Sequence, residues 1–256
     1  HQGSAILVDD CLIVGTQNED RPNASGLVAL DAATGTRRWE HTTASSIKLS
    51  PGSANGRIFA ATVTGEVVAL GEAGGHHWSY QLGNASERWV YSCPLAWKNR
   101  VYVGAAPHFV ALNEASGEVD WLRDDIGHQD WIASYPSPAG YEDFLTVSFH
   151  GQPVNLMVLE ADTGKTVWNL EEAKTSRTNT TPVIDAEGTI YIVGGTTHVR
   201  AFEISTGEVK WETLLEKTRC AASPSLSDGR LFVPDGSGRL SALDTTTGEV
   251  SWTWQS

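Results

Sequence analysis

The sequence predicts an all-β fold, a six-bladed β-propeller with four antiparallel strands per blade. Three observations carry this. Tryptophan recurs at positions 39, 78, 121, 168, 211 and 252, about 43 residues apart. A glycine stands four residues before each one: Gly35, Gly74, Gly117, Gly164, Gly207 and Gly248. Short β-rich runs divided by tight-turn dipeptides fill the intervals. A fixed period of that length is the signature of propellers and solenoids.

The tryptophan stretch is the most regular part of each unit. Ala242 to Trp252 reads as a strand, a Thr-Gly turn and a second strand, and Ala29–Trp39, Ala69–Trp78, Ala111–Trp121, Val158–Trp168 and Ala201–Trp211 share its shape. A second landmark is a small residue, usually followed by proline: Ser50-Pro51, Cys93-Pro94, Ser137-Pro138, Thr181-Pro182 and Ser223-Pro224, with Ser4-Ala5 in the first unit. Turn pairs such as Asn55-Gly56, Lys98-Asn99, Glu187-Gly188 and Asp228-Gly229 then separate apolar runs, the strongest short signal for a hairpin. Each unit is therefore a four-stranded meander. No window holds a helical apolar period. Approximate blade boundaries are 1–42, 43–82, 83–125, 126–172, 173–214 and 215–256, within one domain.

One meander cannot bury both its faces, but radially stacked meanders can. The indole is large and its N–H seeks an acceptor when buried, so tryptophan suits a wedge between sheets. The glycine is expected to permit the turn that aims it. Two units depart from the pattern. The first carries a polar insertion from Gln17 to Ser25, read as a surface loop. The second, Ala69-Leu70-Gly71-Glu72-Ala73-Gly74-Gly75, is one residue short and lacks the aspartate, which predicts an irregular turn without loss of the blade.

Thirty-one acidic against 18 basic residues leave a net charge of −13. This argues against nucleic-acid binding, which needs a basic face. No apolar run is long enough to span a membrane as a helix, and the chain opens inside a strand pattern, as a mature or excised piece would. Cys11, Cys93 and Cys220 form no C-x-x-C pair. They read as small buried thiols, with a Cys11–Cys220 bridge as the alternative if first and last units are neighbours. Asn23, Asn84 and Asn179 head N-x-S/T sequons.

The motif Ala-Leu-Asp-x-x-Thr-Gly-x-x-x-Trp resembles the tryptophan-docking repeat of PQQ-type propellers, and the Ser-Pro, Asp-Gly and Val-Tyr-Val-Gly segments are similar to that family's first two strands. The resemblance covers the whole chain. It implies the propeller architecture and an extracytoplasmic (periplasmic, cell-surface or secreted) location. The family includes quinoprotein alcohol and glucose dehydrogenases, an outer-membrane assembly lipoprotein, and propellers appended to secreted enzymes. The quinoproteins are about twice as long, and many stack the quinone on adjacent cysteines. This chain has no adjacent cysteines and shows no recognisable calcium-holding set, so PQQ is not expected and no cofactor is predicted.

Most apparent chemical motifs dissolve. Gly164-Lys165-Thr166 is a repeat turn, since Leu159 stands where a phosphate loop needs glycine. His76-His77 reads as an exposed strand pair. The informative positions precede each Ser-Pro. Lys48, Tyr91, Tyr135 and Asn179 stand two before the small residue, and Trp89, Arg177 and Arg219 stand four before it, with Arg88 adjacent. On a strand, that spacing puts both sets on one side, which predicts a ligand site at the channel mouth. The longest connection, Leu122 to Pro136, adds Asp124, Asp125, His128 and Asp130. There His128 and Asp130 could form an acid/base pair or a metal cluster, or belong to a solvated acidic loop. The sequence predicts a monomeric, non-catalytic extracytoplasmic propeller that binds a protein or an anionic or sugar-like ligand, possible as an appended domain of a larger protein. The alternatives are a small oxidoreductase or polysaccharide-cleaving enzyme working from Tyr135, His128 and the arginines, and a pure assembly scaffold.

Overall fold

The computed structural model describes residues 3–18, 24–83, 92–105, 107–126, 137–148, 154–171, 180–194, 198–215 and 222–256. Every regular element among them is a strand. Twenty-four strands form six antiparallel sheets of four, each in simple meander order, as in propeller blades. Two compact units are present, His1–Ile126 and Gly127–Ser256, each with three sheets.

In the first unit the sheets are β1 (Ile6–Val8) to β4 (Arg37–Thr43), β5 (Gly52–Ala54) to β8 (His76–Gln81), and β9 (Leu95–Trp97) to β12 (Val119–Arg123). In the second they are β13 (Ala139–Tyr141) to β16 (Thr166–Glu171), β17 (Val183–Ile184) to β20 (Val209–Leu214), and β21 (Ser225–Ser227) to β24 (Val250–Gln255). The first hairpins close as the turn pairs require. Asn55 and Gly56, Lys98 and Asn99, and Asp228 and Gly229 all have positive φ, the type I′ signature that matches strand twist. Glu187-Gly188 differs: the loop spans the four residues 185–188, and Asp185 Oδ1 accepts N–H bonds from Glu187 and Thr189 at 3.0 and 2.8 Å.

The middle strands of the second to fifth sheets are buried on both faces, so they read as nearly unbroken apolar runs, whereas in the first and sixth sheets burial alternates along the second strand. Alternation then divides their side chains between two seams. Ile58, Ala60, Val68 and Leu70 pack toward the first sheet with Ile13, Leu27 and Ala29. Phe59, Ala61, Val67 and Ala69 pack toward the third with Val101, Val103, Val110 and Leu112. In the second unit, Leu156 and Val158 meet Ile190, Ile192 and Phe202, while Tyr191, Val193 and Ala201 meet Leu231, Val233 and Leu243.

The tryptophans join successive sheets within each unit. Indole N–H groups donate to the next sheet's turn: Trp39 to Glu72 O at 2.7 Å, Trp78 to Glu114 O at 3.0 Å, Trp168 to Ile204 O at 2.6 Å and Trp211 to Thr245 O at 2.8 Å. Trp78 and Trp211 are buried, at 7% and 8% exposure, whereas Trp39, Trp121 and Trp168 keep a partly exposed edge. A β-bulge in all six outer strand pairs falls just before the tryptophan and re-aims it. The glycine does more than turn the chain. A Cβ on Gly74 would lie 2.7 Å from Trp39 Cδ2, and one on Gly117 2.6 Å from Trp78 Cδ2. The glycine of one repeat is thus the platform for the tryptophan of the repeat before it.

The short second repeat keeps its blade. Its turn closes with Gly71 N to Gly75 O and Gly74 N to Gly71 O, both 2.8 Å, one residue tighter than Asp31 N to Thr36 O in the first. In full-length turns the acid caps the loop: Asp31 Oδ1 accepts from Ala33 N and Thr34 N, and Asp244 Oδ1 from Thr246 N and Thr247 N.

The small residue before proline has a hydroxyl for a physical reason. Ser50 Oγ accepts from Ser4 N at 2.8 Å, Thr181 Oγ1 from Ser137 N at 3.2 Å, and Ser223 Oγ from Thr181 N at 2.8 Å. This ladder satisfies main-chain donors where first strands of neighbouring sheets converge. Cys11 is a free buried thiol on β2 (Cys11–Thr16), and Cys93 lies in the connection before β9. Neither belongs to a disulfide, so the Cys11–Cys220 bridge is corrected, and Cys220 itself lies outside the described residues.

Glu114 locks the seam between the second and third sheets. Its carboxylate is buried, at 3% residue exposure, and accepts from Asn55 Nδ2 at 2.9 Å and Arg57 at 3.4 Å. Glu114→Ala is expected to cost about 1–3 kcal/mol, because both donors lose a buried partner. Glu114→Gln should recover part of that, since its amide oxygen can still accept from Asn55. Denaturant midpoints at constant slope measure both.

Candidate functional site

The connection from β4 to β5 is the described member of the set that precedes each Ser-Pro. It is not a strand. Its backbone instead crosses the ends of two sheets, with Ile47 N donating to Thr16 O at 3.1 Å and Ser46 O accepting from Val63 N at 2.9 Å. Ile47 is buried in the first seam and Lys48 beside it is half-buried. The period-2 argument therefore fails for this connection: cross-sheet bonds, not a strand ladder, set the direction of each side chain. Arg88, Trp89, Tyr91, His128, Asp130, Tyr135, Arg177, Asn179 and Arg219 lie outside the described residues, as do the three sequon asparagines and most of the first insertion. Asp125 is bound by Arg123, with Nε–Oδ1 2.6 Å and a second bond of 2.8 Å, and this pairing holds its carboxyl below the usual range. Asp125 is thereby kept ionised, with no proton to donate near neutral pH.

The described residues form a different concave site, which sequence reasoning missed. A cleft of about 420 Å³ opens between the first and second sheets, lined by Asp10, Cys11, Ile13, Arg38, Trp39 and Glu72 among others. The short turn explains its position. At the next seam the residue after the turn opener, Glu114, folds inward and fills the gap, and Ile204 does so between the fifth and fourth sheets. Here the equivalent residue, Glu72, is exposed. Asp10 is already engaged: Arg38 binds it through two bonds of 2.8 and 2.6 Å and also reaches Asp31 at 2.6 Å. Arg38 holds both carboxyls below their ordinary pKa. The cleft thus sets apolar side chains such as Val8, Ile13 and Trp39 beside charged ones such as Asp10 and Arg38.

His41 on β4 and His76 on β8 stack nearly parallel, ring centroids 5.9 Å apart at 12°. Burial, and secondarily the His76 charge, lowers the His41 pKa, against a smaller opposing pull from Glu66. A folded-state pKa below the unfolded value means the stability involved is fully present above about pH 6.5 and is lost as pH falls through the folded value. His41→Gln is expected to flatten this part of the pH profile, as measured by urea midpoints between about pH 7.5 and pH 5. His76-His77 is exposed on its strand as expected, with His76 Nε2 2.8 Å from Ser79 Oγ.

Comparison with known proteins now adds to this geometry. The model of one family, described as outer membrane protein assembly factor BamB, matches residues 23–253. The chain belongs to that family. No curated protein matches the sequence. Among solved structures, BamB from Moraxella catarrhalis aligns with TM-score 0.79 and 22% identity, over 100% of this chain and 76% of that one. The computationally designed Ika8 protein aligns at 0.72 and 14%, over 99% and 70%. Quinohemoprotein alcohol dehydrogenase from Comamonas testosteroni aligns at 0.69 and 16%, over 82% and 43%. At these identities the likeness is one of fold: a PQQ-type propeller. No helix among the described residues is long and apolar enough to cross a membrane. Nor do three or more His, Cys, Asp or Glu side chains among them gather to hold a metal ion.

Proposed function

We propose that this BamB-family chain is a non-catalytic, protein-binding propeller that acts outside the cytoplasm as an assembly scaffold. The family match over residues 23–253 carries the reading. The binding surface we assign is the set of connections before each Ser-Pro: Lys48, Arg88, Trp89, Tyr91, Tyr135, Arg177, Asn179 and Arg219. Its support is their shared offset in the repeat. Basic and aromatic residues collect there in a chain whose net charge is −13. Like charges close together repel by about 1 kcal/mol per pair in water, a cost that acidic groups of a partner would offset. The reading uses no cofactor.

Calorimetry with a hexaglutamate peptide and with a uronic-acid oligosaccharide tests it, on wild type and on an Arg177→Ala, Arg219→Ala double variant, at two salt concentrations. The expected result is binding of the peptide, weakened about tenfold or more in the variant and weakened by salt. Binding of the sugar alone would change the ligand class. Absence of binding by wild type would sink the assigned surface.

A further inference from the structure

Each sheet has a corner where the first residue of its second strand faces, across the ladder, the residue that opens the turn before the tryptophan strand. The residue preceding the tryptophan completes it. In three sheets an acid and a base close this corner. Arg38 binds Asp31 at 2.6 Å in the first, Arg100 Nε donates to Asp120 Oδ2 at 2.6 Å in the third, and Lys210 Nζ meets Glu203 at 3.0 Å in the fifth. The same positions in the second sheet are Arg57, Gly71 and His77. Of the six corners this one alone holds basic side chains and no acid. Arg57 is only partly engaged. Its Nη1 reaches Glu114 across the seam at 3.4 Å, while its Nε is buried and no described residue accepts from it. Arg100 uses that same atom for Asp120, whose place His77 takes here. The His77 ring is exposed and lies over Gly71, with Nε2 3.1 Å from where a Cβ would stand.

We propose that this corner of the second sheet is a carboxylate-binding site, in which Arg57 grips the ligand through its Nε–Nη2 edge and His77 adds a further N–H. That edge of a guanidinium matches a carboxylate with two parallel bonds. A buried N–H without an acceptor is costly, and the ligand removes that cost. The imidazole is the part that moves. It is exposed and stands over a residue with no side chain, so it can swing aside to open Nε to the ligand. A carboxylate is the expected class because one carboxylate fills the equivalent place in the first, third and fifth sheets. Glu114 already balances part of the Arg57 charge, so a more highly charged phosphate is less well matched. The same chemistry is offered by a small free acid and by an acidic side chain of another protein. The corner lies at the turn end of its sheet, opposite the connections before Ser-Pro, so the site does not rest on the surface assigned above.

The Nε–H signal of Arg57 in ¹⁵N-arginine-labelled protein, assigned by its loss in Arg57→Lys, reads the site directly. It is followed during titration with sodium acetate, with sodium phosphate and with hexaglutamate, each against sodium chloride of equal ionic strength. The expected result is a saturable shift with acetate that chloride does not produce. Half-saturation by hexaglutamate at about tenfold lower carboxylate concentration assigns the source to acidic side chains, since linked carboxylates raise the local concentration. Half-saturation at equal carboxylate concentration assigns it to a small acid. His77→Asp rebuilds the Arg100–Asp120 pair at an exposed position and is expected to abolish the acetate shift. No saturable shift in wild type, tighter binding of phosphate than of acetate, or an unchanged acetate response in His77→Asp overturns the proposal. So does a response that appears only in Glu72→Gln, which would mean that the chain fills its own corner. Glu72 is the internal competitor, with Oε1 3.9 Å from where a Cβ on Gly56 would stand.

Discussion

Trp211→Ala is expected to destabilise the protein by about 3–5 kcal/mol, the range for a buried large aromatic. The indole is 8% exposed and belongs to the cluster that joins the fifth and sixth sheets. Its ring lies 5.7 Å from that of Tyr191, and its N–H and the Tyr191 hydroxyl both donate to Thr245 O, at 2.8 and 3.3 Å. Truncation therefore opens a cavity and removes one of two bonds to that carbonyl. Chemical denaturation with an unchanged slope should show the loss as a shifted midpoint. A shift worth under about 1 kcal/mol would mean the seam does not depend on the wedge. Trp168→Ala should cost less, since Trp168 keeps an exposed edge.

Gly117→Val is expected to be nearly as damaging, by about 3 kcal/mol or more, through two additive causes. Gly117 has φ +74, a region where a β-branched side chain is strained. Its new Cβ would also fall 2.6 Å from Trp78 Cδ2, forcing the indole off the bond it makes to Glu114 O. Gly75→Val in the adjacent repeat is the control: a Cβ there meets nothing within 4 Å, and its φ is not positive. Thermal or urea midpoints of both variants separate the two. Equal effects would refute the platform role of Gly117.

The hairpins were legible because type I′ turns are local. Asn55-Gly56 and Asp228-Gly229 state their conformation within two residues, and the strands follow by alternation. The tryptophan wedges were legible because their spacing repeats. The mouth residues were placed by a period-2 argument that assumes a strand. The segment around Lys48 is held by bonds to Thr16 and Val63, from different sheets, so no local pattern encodes it. The cleft beside Trp39 left a trace in the sequence, the missing residue between Ala69 and Gly74. Whether a shortened turn opens a gap depends on where Glu72 points, and it is exposed where Glu114 of the next turn is buried.

Local spacing thus decides how many sheets form, which strands pair and where the bulky residues recur, because those interactions span a few residues or repeat identically. The seams belong to tertiary structure. Each wedge bond joins residues 33 to 36 positions apart, and the glycine that looks like a turn residue for its own tryptophan serves the preceding one. A period can announce that such partners exist. Only the folded chain decides which carbonyl, which glycine face and which carboxylate meets each of them, because packing couples positions that no single repeat contains.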